Sequence, residues 1–198
     1  MLLAALELGL FTRLSRGART LADVARGADH LRLVAEAERL DLARVVAVGH
    51  SAGGQLALWL GGRARLKRGS PLWSDAPLAL RGVVSLAGVT DLRAAAEGRV
   101  CDDAVPQLLG GPPAAHEERV RDASAIELLP LGLPQRLVCG AHDTLVPNEL
   151  STRYADAARK AGDRVTMEVV AEAGHFELVD PASGAWPAVR GAVAELLR

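Results

Sequence analysis

Arg44-Val45-Val46-Ala47-Val48-Gly49-His50-Ser51-Ala52-Gly53-Gly54 is the stretch on which the reading of this chain turns. Its first half, residues 44–49, is a short β-branched run with no polar alternation, the pattern of a strand covered on both faces within a parallel sheet. Beyond it the residues predict a helix over 52–66. Gly49-x-Ser51-x-Gly53 therefore falls where a strand ends and a helix begins. A sharp turn at that point strains the backbone of its central residue, so small residues are expected two positions before and two after it. The turn presents Ser51 as a nucleophile, provided a base removes its proton. It also leaves the N–H of Ala52 at a helix N-terminus, aimed at a developing oxyanion. The plainer alternative is a glycine-rich helix start with Ser51 as its N-cap.

Working outward, Thr20-Leu21-Ala22-Asp23 fits a capping box, and Leu21, Val24, Ala28, Leu31 and Val34 recur at helical steps. These predict an amphipathic helix over about 20–40. Residues 81–86, 135–140 and 164–171 read as three further strands. Residues 147–161 and 183–198 read as helices, the last with Pro187 in its first turn. The middle, 91–134, is less regular, with short helical pieces at 92–97, 105–109 and 114–121, interrupted by Gly110-Gly111-Pro112-Pro113. Strands alternating with helices imply one α/β domain over 1–198, a parallel sheet flanked by helices with right-handed crossovers.

Composition narrows the function. The 198 residues carry 23 Lys+Arg against 24 Asp+Glu, a net charge of −1. That balance supplies no basic excess to attract nucleic acid or an anionic membrane, and neither partner is expected. Cys101 and Cys139 are too few for a disulfide framework or a zinc site, so a reducing cytoplasm is the expected location and no metal is expected. No role for Cys101 is readable, nor is an oligomeric state. Residues 1–11 are apolar apart from Glu7, yet the first basic residue, Arg13, follows the run instead of preceding it, unlike a secretory signal.

A serine nucleophile needs a histidine, and the histidine needs an acid. His50 lies in the elbow itself, where its side chain points away from Ser51. His30 falls within the first helix and His116 in a charged one, both read as surface or packing residues. His142 could line the site. His175, in Ala173-Gly174-His175-Phe176 after the fourth strand, sits at the sheet's carboxyl end, where α/β active sites form. A helix-capping role is its bland alternative. Asp143, just past the third strand, is the preferred acid, and Asp91 is more simply a helix cap. The chain order is then Ser51, Asp143, His175.

At this point the sequence resembles an α/β-hydrolase from about Gly17 onward, most closely the esterase and kynurenine-formamidase-like branch. The resemblance rests on Gly49-His-Ser-Ala-Gly-Gly54 with Leu56-Ala-Leu-Trp59, Val84-Ser-Leu-Ala-Gly88, Gly140-Ala-His-Asp143 with Val146-Pro147, and Gly174-His-Phe176. It implies ester or amide (formamide) hydrolysis of a small molecule by acyl transfer, without metal or organic cofactor. Ser51 would be the nucleophile, His175 the base, Asp143 its orienter and Ala52 N–H one oxyanion donor, with His50 and His142 at the substrate. It also implies that 91–134 is a cap-like insertion over the acyl pocket.

The departure is at the front. Such enzymes place about four strands before the nucleophile's strand, and a His-Gly-Gly-type loop gives the second oxyanion N–H. Only 50 residues precede Ser51, none reads as His-Gly-Gly, Gly17 and Gly27 sit in the wrong context, and residues 1–18 are atypical. The expectation is a truncated α/β-hydrolase fold whose native form carries the missing portion upstream. Its rival is a relic, impaired or non-catalytic, lacking half of the oxyanion hole. A peptidase of the prolyl-oligopeptidase type shares the triad order but usually works with a large extra domain.

Overall fold

The structure is a computed structural model and describes residues 20–198. The expectations for residues 1–18, Gly17 among them, lie outside the described residues. In chain order the elements are α1 (Leu21–Val34), β1 (Val46–His50), α2 (Ala52–Gly62), β2 (Gly82–Leu86), α3 (Leu92–Glu97), α4 (Ala104–Leu109), α5 (Glu117–Ala123), β3 (Gln135–Gly140), α6 (Asn148–Lys160), β4 (Val165–Val170) and α7 (Trp186–Leu197). The four strands are parallel and lie in the order β1-β2-β3-β4. Parallel neighbours need crossovers, which α2, the α3–α5 segment and α6 supply. The α/β class expected from sequence is the fold observed.

Successive strand residues face opposite sides of the sheet. Val83 and Leu137 join Leu58, Trp59 and Tyr154 in the core beneath α2 and α6. Val84 and Val138 join Val189 and Leu196 beneath α7. Covering both faces in this way explains why β2 is buried at every residue. β1 differs from the expectation of two-sided burial, because it is half-buried along its whole length. Its only strand partner among the described residues is β2.

One further difference has a local cause. α1 opens with the expected capping box on Thr20 and Asp23 but stops at Val34 instead of reaching Leu40. Glu36, Glu38 and Arg39 offer no apolar residue to extend its inward stripe, and the chain turns with Arg39 at φ 54°. The segment 91–134 packs into the main core, where Val105, Leu109, Val120 and Leu128 join Leu58 and Trp59. Gln55 Nε2 donates to the Ala123 carbonyl, and Trp59 Nε1 donates to that of Asp122 at 2.7 Å. The far end of α2 is fixed by a buried cation: Arg63 donates to both oxygens of Asp29 at 3.0 and 2.7 Å, and Asp29 also accepts the Leu78 N–H at 2.8 Å.

Candidate active site

Ser51 sits at φ 57°, ψ −123°, a region that L-residues rarely occupy. Its N–H donates to the Leu86 carbonyl at 2.8 Å, and its own carbonyl accepts the N–H of Gly54 at 2.9 Å. The backbone thus leaves β1 and enters α2 with Ser51 as the single residue between them. Ser51 occupies the N-cap position of α2, but its hydroxyl makes no capping bond. Ala52, the first residue of α2, has an N–H without an intrahelical acceptor.

The expected pair of small residues is half right. A Cβ on Gly49 would lie 1.9 Å from the Gly53 carbonyl oxygen, so no side chain fits there. A Cβ on Gly53 would meet nothing within 4 Å. The second close approach is at Gly54, whose Cβ would come 2.6 Å from Ser85 Oγ and 2.8 Å from Gly88 Cα. α2 begins against the turn after β2, and it is Gly54 that faces that turn.

The acid and the base are joined directly. The Asp143 side chain is fully buried, and its Oδ2 lies 2.7 Å from His175 Nδ1. Its Oδ1 accepts the N–H groups of Leu145 and Val146, each at 2.9 Å. A carboxylate so engaged accepts the Nδ1 proton, which leaves His175 Nε2 as the free proton acceptor. His175 itself arrives by a folded-back segment. After β4 the chain crosses the end of β3: His142 N–H donates to the Ala173 carbonyl at 2.9 Å, and a Cβ on Gly140 would lie 2.3 Å from the Gly174 carbonyl oxygen. Asn148 Nδ2 holds the Gly140 carbonyl at 2.9 Å, and Glu177 Oε2 accepts the Gly174 N–H at 3.0 Å.

The remaining histidines separate clearly. The His50 ring lies 4.3 Å from that of His175, centroid to centroid, and its Nε2 is 2.9 Å from the His175 carbonyl oxygen. Burial lowers its pKa below the ordinary histidine value; the His175 carbonyl pulls the other way, and the neighbouring imidazole adds to the lowering. Phe176 lies edge-on to His175 at 5.1 Å. His142 is exposed beside Asp143, and His30 is exposed on α1. His116 is the residue that precedes α5. Asp91 is a helix cap: its Oδ1 accepts the N–H groups of Arg93 and Ala94, and its Oδ2 pairs with Arg153 at 3.1 Å.

The structure therefore brings together His50, Asp143 and His175 at the sheet's carboxyl end, with Ser51 directly following His50. A hydrogen bond from Ser51 Oγ to His175 is not among the contacts of the described residues. Sequence reasoning did not single out Asn148 or Glu177, whose bonds are tertiary; the one signal near Asn148 was Pro147 at a helix start. A groove of about 530 Å³ runs between the β3–β4 strands and α7, lined by Arg136, Thr166, Glu168 and Pro187 and away from these residues. Among the described residues no group of three or more His, Cys, Asp or Glu side chains is placed to hold a metal ion.

A parallel sheet with an elbow serine after one strand and a buried Asp–His pair after the last two defines an α/β-hydrolase fold. Within that class the chain belongs to the BD-FAE family, whose family model matches residues 13–157. That span holds Ser51 and Asp143 but ends before His175. The acetyl ester-xyloside bifunctional hydrolase of Caldicellulosiruptor lactoaceticus superposes with a TM-score of 0.69 at 23% identity, over 88% of this chain and 64% of that one. The thermophilic esterase Est2 of Thermogutta terrifontis gives 0.67 at 22% identity, over 89% of this chain and 64% of that one. The acylaminoacyl peptidase of Pyrococcus horikoshii gives 0.59 at 18% identity, over 82% of this chain and 24% of that one. The chain thus spans 64% of the first two neighbours and much less of the third. No curated protein sequence matches it. Among the described residues no helix is long and apolar enough to cross a membrane.

Proposed function

We propose that this chain is a serine hydrolase that cleaves small carboxylic esters through an acyl-enzyme on Ser51. The observation that carries the reading is the buried Asp143–His175 bond of 2.7 Å, placed beside an elbow whose serine is held at φ 57°. Ser51 Oγ attacks the ester carbonyl carbon while His175 Nε2 takes the hydroxyl proton. The carbonyl oxygen becomes an oxyanion facing the Ala52 N–H. Collapse breaks the bond to the alcohol oxygen, which leaves with the proton from His175. Water then repeats the sequence, with His175 again as base, and releases the acid. Asp143 stays ionised throughout and stabilises the imidazolium.

Two of the structural neighbours are named for ester hydrolysis, which favours an ester with a small acyl group over the amide or formamide that the sequence also allowed. His142, exposed next to Asp143, is read as a substrate-lining residue. Cys101 and Cys139 are both free thiols, which fits a reducing cytoplasm. A second reading, an impaired relic, is favoured by the half-burial of β1, which among the described residues pairs only with β2. The test is p-nitrophenyl acetate turnover. An acyl-enzyme gives a burst of nitrophenol that Ser51→Ala abolishes; no burst from the wild-type chain selects the relic.

A further inference from the structure

We propose that His50 is a positioning residue for the general base: from the position before Ser51, its side chain ties the His175 segment to the nucleophile's strand. The proposal rests on the reading of Ser51, Asp143 and His175 given above.

The need for such a tie comes from the topology. β1 and β4 are the outer strands of the described sheet. Three inter-strand steps separate them, roughly 14 Å. Ser51 leaves β1 and His175 belongs to the chain after β4, yet a base must approach within about 3 Å of the proton it takes. The gap is closed in two stages. The turn at Ala173-Gly174 first folds back over the end of β3, fixed by the His142 N–H and by the missing side chain of Gly140. His50 covers the rest, its Nε2 meeting the His175 carbonyl at 2.9 Å. One side chain thereby connects the residue covalently joined to Ser51 with the residue that accepts the proton.

The chemistry of the contact fits this role. A carbonyl only accepts, so His50 carries its proton on Nε2 and donates it. Its ring also covers one side of the His175 imidazole at 4.3 Å, while Phe176 closes another at 5.1 Å. With Nδ1 held by Asp143, little freedom remains to that imidazole. The ionisable groups facing His50 are His175 and Asp143, and burial lowers the His50 pKa, which favours the neutral ring. Neutrality matters because His175 becomes a cation during proton transfer, and a second cation at this separation would oppose it.

The test compares His50→Gln with His50→Phe in the full chain, by p-nitrophenyl acetate kinetics and by the downfield proton NMR signal of His175 Nδ1–H. Gln keeps an N–H donor on a side chain long enough to reach the carbonyl; Phe keeps the ring and loses the donor. Loss of the donor is expected to lower kcat about 10- to 100-fold with KM moved less than about threefold, and Gln to recover about tenfold of that loss. The downfield signal is expected to broaden in His50→Phe and to sharpen again in His50→Gln. Equal kcat in both variants, or a signal indifferent to both, overturns the proposal. Should His50→Phe fail to fold, His50→Asn, whose donor falls short of the carbonyl, replaces it. If the wild-type chain shows no burst, the esterase reading fails, while the NMR signal still decides whether His50 positions His175.

Discussion

The acid–histidine side of the site and the serine side are built to different standards. Both oxygens of Asp143 are engaged, and the segment carrying His175 is bonded to the loop after β3 through the His142 N–H and packs closely on Gly140, whose carbonyl Asn148 holds. Those contacts come from β3, from the loops that follow β3 and β4, and from the first residue of α6. Ser51, by comparison, is held by backbone bonds to Leu86 and Gly54 on a strand that is only half-buried. Its conformation is strained, and its hydroxyl has no partner among the described residues. The contrast shows where precision is stored. The Asp143–His175 pair is arranged mostly by β3, β4 and their loops, with one contact from β1 through His50, whereas Ser51 depends on how firmly β1 and α2 hold one turn.

Substitutions at the elbow and in the acid loop break that contrast in different ways. The largest effects are expected at Ser51 and Asp143. Ser51→Gly removes the nucleophile, lowering hydrolysis by about 10⁴-fold or more. It also relieves the positive φ, stabilising the fold by about 1 kcal/mol, a rise of roughly 2–4 °C in Tm. Loss of activity with gain of stability is the signature of a strained nucleophile, and a fall in Tm argues against one. Asp143→Asn keeps the acceptor for Leu145 and Val146 but turns an N–H toward His175 Nδ1, forcing the wrong tautomer. Activity is expected to drop about 10⁴-fold with Tm nearly unchanged.

Gly140→Ala sharpens the comparison from the histidine side. The new Cβ would sit 2.3 Å from the Gly174 carbonyl oxygen, so the His175 segment must shift. A displacement near 1 Å is expected to cost about 100-fold in kcat. Gly53→Ala is the matched control on the serine side, because its Cβ meets nothing within 4 Å. In a helix the exchange is expected to stabilise by about 0.5–1 kcal/mol, read from urea unfolding. Gly49→Ala, with its contact of 1.9 Å, should instead fail to form the turn.

The smallest expected effect on the site, though not on the fold, is at Asp29. Burial pushes its carboxyl up, but the Arg63 guanidinium and the Leu78 N–H outweigh that and hold it below the ordinary value. Asp29→Asn strands the buried Arg63 cation and is expected to cost about 2–3 kcal/mol, less than for a fully buried pair because Asp29 is partly exposed. A lowered carboxylate contributes fully above its unfolded pKa of about 4 and loses that contribution as pH falls through the lower folded value. Unfolding curves of the two proteins should therefore converge in acid and separate near neutrality.

Much of this was legible before any coordinates. β2 and β3 stood out because apolar runs such as Val83-Val84 and Leu137-Val138 suit a strand buried on both faces. Ser51, Asp143 and His175 were singled out because each follows a strand end, where a parallel sheet gathers its loops. What stayed hidden was tertiary. No local pattern says that the His50 ring lies on His175, that Gly140 must lack a side chain for Gly174 to pass, or that Gly54 faces Gly88. The partial exposure of β1 does not show in Val46 to Val48 themselves, which read as a strand covered on both faces. α1 ended early because charge at Glu36, Glu38 and Arg39 interrupts an apolar stripe that Leu40 alone could not resume.

The central claim, that His175 removes the Ser51 proton, is tested most directly by covalent modification with a fluorophosphonate, followed by intact mass and peptide mapping. The account predicts a single adduct on Ser51 in the wild-type chain, formed about 10³-fold or more slowly in His175→Ala. An adduct on another residue, or a rate at Ser51 that does not depend on His175, would contradict it.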